Sequence, residues 1–169
     1  MGYLDELVEK SIYRIREAAA RFKHIAVLVS MGKDSVTMLY LIKLSFPKDS
    51  IPENIHFYHL DTGCKYLEMY AFRDKIAKEW NIKIEPIQYL EYIQSTSPTK
   101  DIFECCNLRK TETLKRLIKE RKIDAVMTAI RRDEMYERNL ERIFSPRKGG
   151  NWEIIREKSE SEKKELWKK

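Results

Sequence analysis

The sequence predicts an α/β fold: a doubly wound, Rossmann-like, mostly parallel sheet of about five strands with helices on both faces. Three observations lead there. Short apolar runs rich in β-branched residues alternate with longer stretches whose apolar residues recur at helical spacing. The first of these runs, His24–Val29, is almost unbroken in apolar character, as a strand covered on both faces of a parallel sheet is. Polar clusters stand directly after three of the runs, where open parallel sheets hold their ligands.

The elements follow in order. Between residues 3 and 22, Leu4, Leu7, Val8, Ile12, Ile15, Ala19 and Phe22 fall on one helical face, with charges between them. His24–Val29 is the first strand and is placed at the centre of the sheet. The polar stretch Ser30–Ser35 follows, and Val36–Leu44 reads as a mostly buried helix. Pro47 and Pro52 bracket a loop. Ile55–Leu60 is the second strand. Tyr66, Met69, Phe72, Ile76 and Trp80 mark one face of the next helix. Ile82–Tyr89 is a third strand, assigned to a sheet edge because Pro86 cannot donate to a ladder. Residues 91–106 read as irregular. Leu108, Thr111, Leu114, Leu117 and Ile118 form another helical face, and Ile123–Ile130 a fourth strand. Asp133–Ile143 reads as helix and Trp152–Ile155 as a short fifth strand. Residues 1–156 are thus expected to form one domain. Residues 157–169, nearly all charged or serine, cannot bury a face and are expected to be a disordered tail.

Composition narrows the partners. The 169 residues suit a single core, 36% of them are charged, and the net charge is +6 with a pI of about 9.1. That balance favours anions such as nucleotides, nucleic acid or acidic proteins, and it also serves plain solubility. No apolar run approaches a membrane span. Asp5, Glu6 and Glu9 argue against a signal peptide, and three cysteines do not make a disulfide framework. A cytoplasmic protein with reduced thiols and no membrane partner is the expectation.

Ser30-Met31-Gly32-Lys33-Asp34-Ser35 links a buried strand directly to a helix. Unpaired N–H groups and the positive end of the helix dipole suit an anion there. Gly32 admits a close backbone approach, Lys33 adds a full positive charge, and Ser30 and Ser35 offer hydroxyls. Asp34 or Ser35 can also cap the helix, so a plain capped turn is the competing reading. A Walker A loop is excluded, because its first glycine would fall where Val27 stands.

The loop resembles that of the N-type ATP pyrophosphatases, the PP-loop superfamily. Two further segments sharpen the likeness. Leu60-Asp-Thr-Gly-Cys-Lys65, with Glu68-Met69-Tyr70 and Phe72-Arg73-Asp74, is similar to the second-strand region of the small subunit of sulfate adenylyltransferases. Arg131-Arg132-Asp133-Glu134, with Glu141-Arg142-Ile143, is similar to a third motif of that subunit. Phosphoadenylyl-sulfate (PAPS) reductases carry the same blocks more loosely, and both groups make up the PAPS reductase-like family. The resemblance spans about residues 5–156.

The resemblance implies roles. Ser30, Gly32, Lys33, Asp34 and Ser35 would hold phosphates. Asp61, Thr62 and Gly63 would lie beside the nucleoside. Arg131 and Arg132 would face phosphate or sulfate and, with Lys33, stabilise charge during transfer. A structural ion pair from the arginines to Asp133 or Glu134 is the plainer alternative. The ligand would be ATP, adenylyl sulfate or PAPS, with Mg²⁺ neutralising the phosphates. The partners implied are the nucleotide, sulfate, and either a second subunit, a GTPase by analogy, or further copies of the chain.

Cys105-Cys106-Asn107-Leu108-Arg109-Lys110 resembles half of the iron–sulfur motif of the reductase branch. A cubane cluster usually takes four thiolates. No cysteine follows Cys106, and Cys64 does not complete the set, so no iron–sulfur cluster is expected. The family normally continues beyond this length, so the chain reads as shortened. Three functions stand side by side: sulfur metabolism by adenylyl transfer to sulfate or by reduction of an adenylyl sulfate; nucleotide binding without turnover; and activation of RNA for thiolation. No added RNA-binding domain is evident, so nucleic acid is not an expected partner.

Overall fold

A computed structural model describes residues 2–46, 50–131 and 143–146. The chain divides into two units, Met1–Arg131 and Arg132–Lys169, and the elements below all belong to the first. In chain order they are α1 (Tyr3–Arg21), β1 (Ile25–Leu28), α2 (Lys33–Ser45), β2 (Ile55–Leu60), α3 (Leu67–Glu79) and β3 (Ile84–Ile87). Then come α4 (Leu90–Ser95), α5 (Ile102–Cys106), a π-helical turn (Asn107–Glu112), α6 (Thr113–Glu120) and β4 (Ala125–Met127).

Among the described residues, four strands form one parallel sheet in the order β3-β2-β1-β4. β1 is interior, as its apolar run predicts, pairing Val27 with Phe57 on one side and with Met127 on the other. β3 lies at an edge, where Pro86 stands opposite His59. Ile25, Ala26 and Val27 are all essentially inaccessible, so both faces of β1 are covered. Ala26, Tyr58 and Ile87, from three neighbouring strands, meet Leu114 and Leu117 of α6 and Ile123 in one cluster. Burying a side chain such as Leu117 contributes about 1.5–3 kcal/mol.

Polar side chains fasten the remaining ends. Asn54 Nδ2 donates to the Ala19 and Phe22 carbonyls that close α1. Arg16 Nε donates to the Ser45 carbonyl at the end of α2. Asp124 accepts from the Lys23 and His24 N–H groups at the entry to β1. The N-terminal part of α1 buries less than its stripe suggests: Ile15 and Ala18 are buried, whereas Leu4 and Leu7 are exposed.

Three expectations are corrected. Residues 91–106 are not irregular throughout but carry α4 and α5. Such short helices have no apolar period to read. Local contacts hold α5 instead, with Asp101 Oδ1 accepting from the Phe103 and Glu104 N–H groups at 2.8 and 2.9 Å. The following helix starts with a π turn, in which Thr113 Oγ1 reaches back to the Leu108 carbonyl. The fourth strand is confined to Ala125–Met127, half-exposed beside β1. Pro47, residues 133–142 of the helix read at Asp133–Ile143, the fifth strand at 152–155, the 156 boundary and the tail lie outside the described residues. Among the described residues no helix is long and apolar enough to cross a membrane.

Candidate nucleotide-binding site

The parallel register sets the site. Leu28 pairs with Tyr58, and the Val29 N–H donates to the Tyr58 carbonyl at 2.9 Å. The Ser30 and Asp61 loops therefore leave two hydrogen-bonded neighbours at nearly the same level of the carboxyl edge.

In the first loop, α2 starts earlier than its apolar pattern suggests, at Lys33. Lys33, Asp34 and Ser35 thus form the first helical turn. Gly32 is the N-cap, and no side chain caps the turn. The opening N–H groups are left for an anion, which the positive end of the dipole favours. Neither Asp34 nor Ser35 acts as the cap. Ser35 Oγ donates instead to the Gly32 carbonyl at 2.9 Å, and Ser30 Oγ accepts from the Gly32 N–H at 3.3 Å. The loop is thus folded on itself by its two serines. The left-handed position is Met31, with φ of 64°, and not Gly32, which is extended at φ of −77°. Met31 buries its side chain, which offsets the backbone strain. Lys33 is exposed.

Arg131, 46% exposed in its side chain, approaches this loop, with Nη1 3.9 Å from Asp34 Oδ1. One ion-pair contact of Arg131 is therefore with the loop. Arg132, and the Asp133 and Glu134 of the alternative pairing, lie outside the described residues.

In the second loop, Asp61 Oδ1 accepts from the Gly63 N–H at 2.9 Å and from the Tyr70 hydroxyl at 2.7 Å. Among the described residues both hydrogen bonds to this carboxylate fall on one oxygen. Gly63 has φ of +68°, and a Cβ there would lie 3.4 Å from Gln88 Nε2. Thr62 is buried. Burial, more than the Asp61 contact, raises the Tyr70 pKa above its ordinary value. Lys65 is shifted downward, by burial first and then by the charges of Lys110 and Arg73, with Asp61 opposing.

Some residues at this edge have no sequence pattern that singles them out. His59 lies inside an apolar strand and is 1% exposed. Its Nδ1 is 2.8 Å from the Val29 carbonyl, one residue before the Ser30–Ser35 loop. Since a carbonyl only accepts, Nδ1 carries the proton. Nε2 is then a buried acceptor with no partner among the described residues. Burial, followed by the charge of Lys65, lowers the His59 pKa. The same strand carries His56, which is exposed, so a histidine in this run does not by itself single out His59.

Cys105 is buried at the end of α5, while Cys106 and Cys64 are exposed. Among the described residues no three His, Cys, Asp or Glu side chains gather as a metal site. For magnesium, the oxygen donors that the two loops carry are the Asp34 and Asp61 carboxylates with the Ser30 and Ser35 hydroxyls. That set suits an ion which keeps its waters and takes one or two carboxylates plus phosphate oxygens.

The sequence profile of the phosphoadenosine phosphosulfate reductase domain matches residues 24–155, and the chain belongs to that family. Over 176 aligned residues it is 36% identical to sulfate adenylyltransferase subunit 2 of Zymomonas mobilis subsp. mobilis, an alignment covering 99% of this chain and 54% of that protein. The protein of the same name from Buchnera aphidicola is 39% identical over 152 residues, 85% of this chain and 47% of its own length. The chain spans about half the length of these curated relatives. Among solved structures, a phosphate complex of PAPS reductase from Candida auris superposes with a TM-score of 0.58 at 16% identity, covering 76% of this chain and 66% of that one. At that identity the likeness speaks for the shared fold.

Proposed function

We propose that this chain binds an adenine nucleotide in sulfur metabolism, with its phosphates on the Ser30–Ser35 loop and its nucleoside beside Asp61–Gly63. The observation that carries the reading is the uncapped start of α2 directly after the interior strand. Among the described residues the Lys33, Asp34 and Ser35 N–H groups there have no side-chain acceptor, and the Lys33 side chain stands in the same turn.

Adenylyl transfer to sulfate is the reaction this arrangement suits best, in keeping with the names of the relatives at 36% and 39% identity. A sulfate oxygen attacks the α-phosphorus of ATP, the bond to the bridging oxygen breaks, and pyrophosphate leaves carrying the electron pair. The loop N–H groups and Lys33 hold the leaving pyrophosphate. Arg131, with Arg132 beside it in sequence, offsets the charge that builds on the α-phosphoryl group and sulfate. Magnesium would supply charge neutralisation on the phosphates. The relatives are called subunit 2, so a partner subunit belongs to this reading.

Calorimetric titration with ATP, adenylyl sulfate and PAPS tests binding, and sulfate-dependent pyrophosphate release, with and without a partner subunit, tests turnover. ATP or adenylyl sulfate should bind and raise the melting temperature by mass action. Failure of all three nucleotides to bind would refute the reading.

A further inference from the structure

Arg109 is 5% exposed, yet no carboxylate is among its partners. A buried guanidinium is costly unless every donor is met. Here all five N–H donors are used. Nε donates to Thr96 Oγ1 at 2.8 Å. Nη1 donates to the Thr62 carbonyl at 2.8 Å and to Cys64 Sγ at 3.1 Å. Nη2 donates to the Ile93 carbonyl at 2.9 Å and to the Thr96 carbonyl. One planar group thus ties the loop after β2 to the end of α4.

The backbone that carries Arg109 is the π turn Asn107–Glu112. A π turn adds a residue to the helical repeat and rotates its side chains relative to a regular helix, a device common at functional sites. The loop that Arg109 grips holds Asp61, whose Oδ1 accepts from Gly63, and a Cβ at Gly63 would lie 3.9 Å from Arg109 Nη1. Thr62, held by its carbonyl, is the residue between them.

We propose that Arg109 is the positioning residue of this wall. It fixes Asp61–Cys64 in the geometry that receives the nucleoside while itself staying beneath the loop. The contribution of the Cys-Cys-x-x-Arg-Lys segment to the site then runs through its arginine. The inference rests on the reading of Asp61–Gly63 as the nucleoside wall.

Hydrogen exchange, read peptide by peptide with and without ATP, and calorimetry with ATP form the test. In the wild type, ATP should slow exchange at both Ser30–Ser35 and Asp61–Cys64. Arg109→Lys keeps the charge but loses the planar fork. It should speed exchange at Asp61–Cys64 without ligand, leave β1 and α2 peptides unchanged, and weaken ATP by about tenfold. Thr96→Val removes one acceptor on the far side of the clamp and should give the same pattern at smaller amplitude, which keeps the test valid if Arg109→Lys does not fold. Wild-type affinity and exchange in Thr96→Val, or in a folded Arg109→Lys, would overturn the proposal. Protection by ATP at Ser30–Ser35 alone would overturn it while sparing the phosphate reading. Protection at neither loop would overturn both.

Discussion

Tyr70 donates its hydroxyl hydrogen to the same Asp61 oxygen that accepts from Gly63, at 2.7 Å. A side chain from α3 thereby fixes one oxygen of the carboxylate at the end of β2. Tyr70→Phe should cost about 1 kcal/mol of stability, the usual net value of one hydrogen bond. It should also weaken nucleotide binding, because Asp61 loses its orientation. Denaturant melts and ATP titrations check this; unchanged affinity would mean that Asp61 does not meet the ligand.

Lys33→Ala should separate binding from folding. The side chain is exposed at the start of α2, so melting temperature without ligand should change little. Removing one charge-assisted contact should weaken phosphate binding by about 1.5–3 kcal/mol, roughly tenfold or more in affinity. Equal ATP affinities for the two proteins would place the phosphates elsewhere, and an unfolded variant would make Lys33 structural.

His59 makes stability depend on pH. Burial holds its folded pKa below the ordinary value of 6.5, so the unfolded chain binds the proton more readily. The stabilisation from the neutral ring is complete above pH 6.5 and falls away as pH drops from there through the lower folded value. His59→Asn keeps a donor near the Val29 carbonyl and has no such titration. Its stability should vary less over that window, as urea melts at several pH values would show; parallel curves would contradict the assignment.

Gly63→Ala should be destabilising by about 1–2 kcal/mol, the cost of a Cβ in the left-handed region. Gly32→Ala should cost less in the free protein, since its φ is −77° and a Cβ would meet Ser30 Oγ at an ordinary 3.5 Å. Its effect should appear on ATP binding, where a methyl group obstructs close approach of a phosphate. A reversed order of the two stabilities would contradict the backbone assignment of these turns.

The sequence by itself determined the sheet and the edge at which the candidate site lies. Continuous apolar character made His24–Val29 an interior strand, and Pro86 put its strand at a margin, because burial and the lack of a donor act locally and leave direct marks. Ser30–Ser35 was legible for the same reason, as a polar break between a strand and a helix. Tertiary structure decided the rest. Only the parallel register puts Ser30 and Asp61 side by side, since it depends on two strands about thirty residues apart in sequence. Only packing reveals that Met31, not Gly32, takes the left-handed turn, and that His59 and Tyr70 orient the loop ends. Arg109 is the clearest case. Beside a cysteine pair it looked like part of a metal motif, and its five acceptors come from Thr62, Cys64, Ile93 and Thr96, up to 47 residues away. Backbone carbonyls supply three of those acceptors, and every residue type carries one, so no pattern of side chains could have announced them.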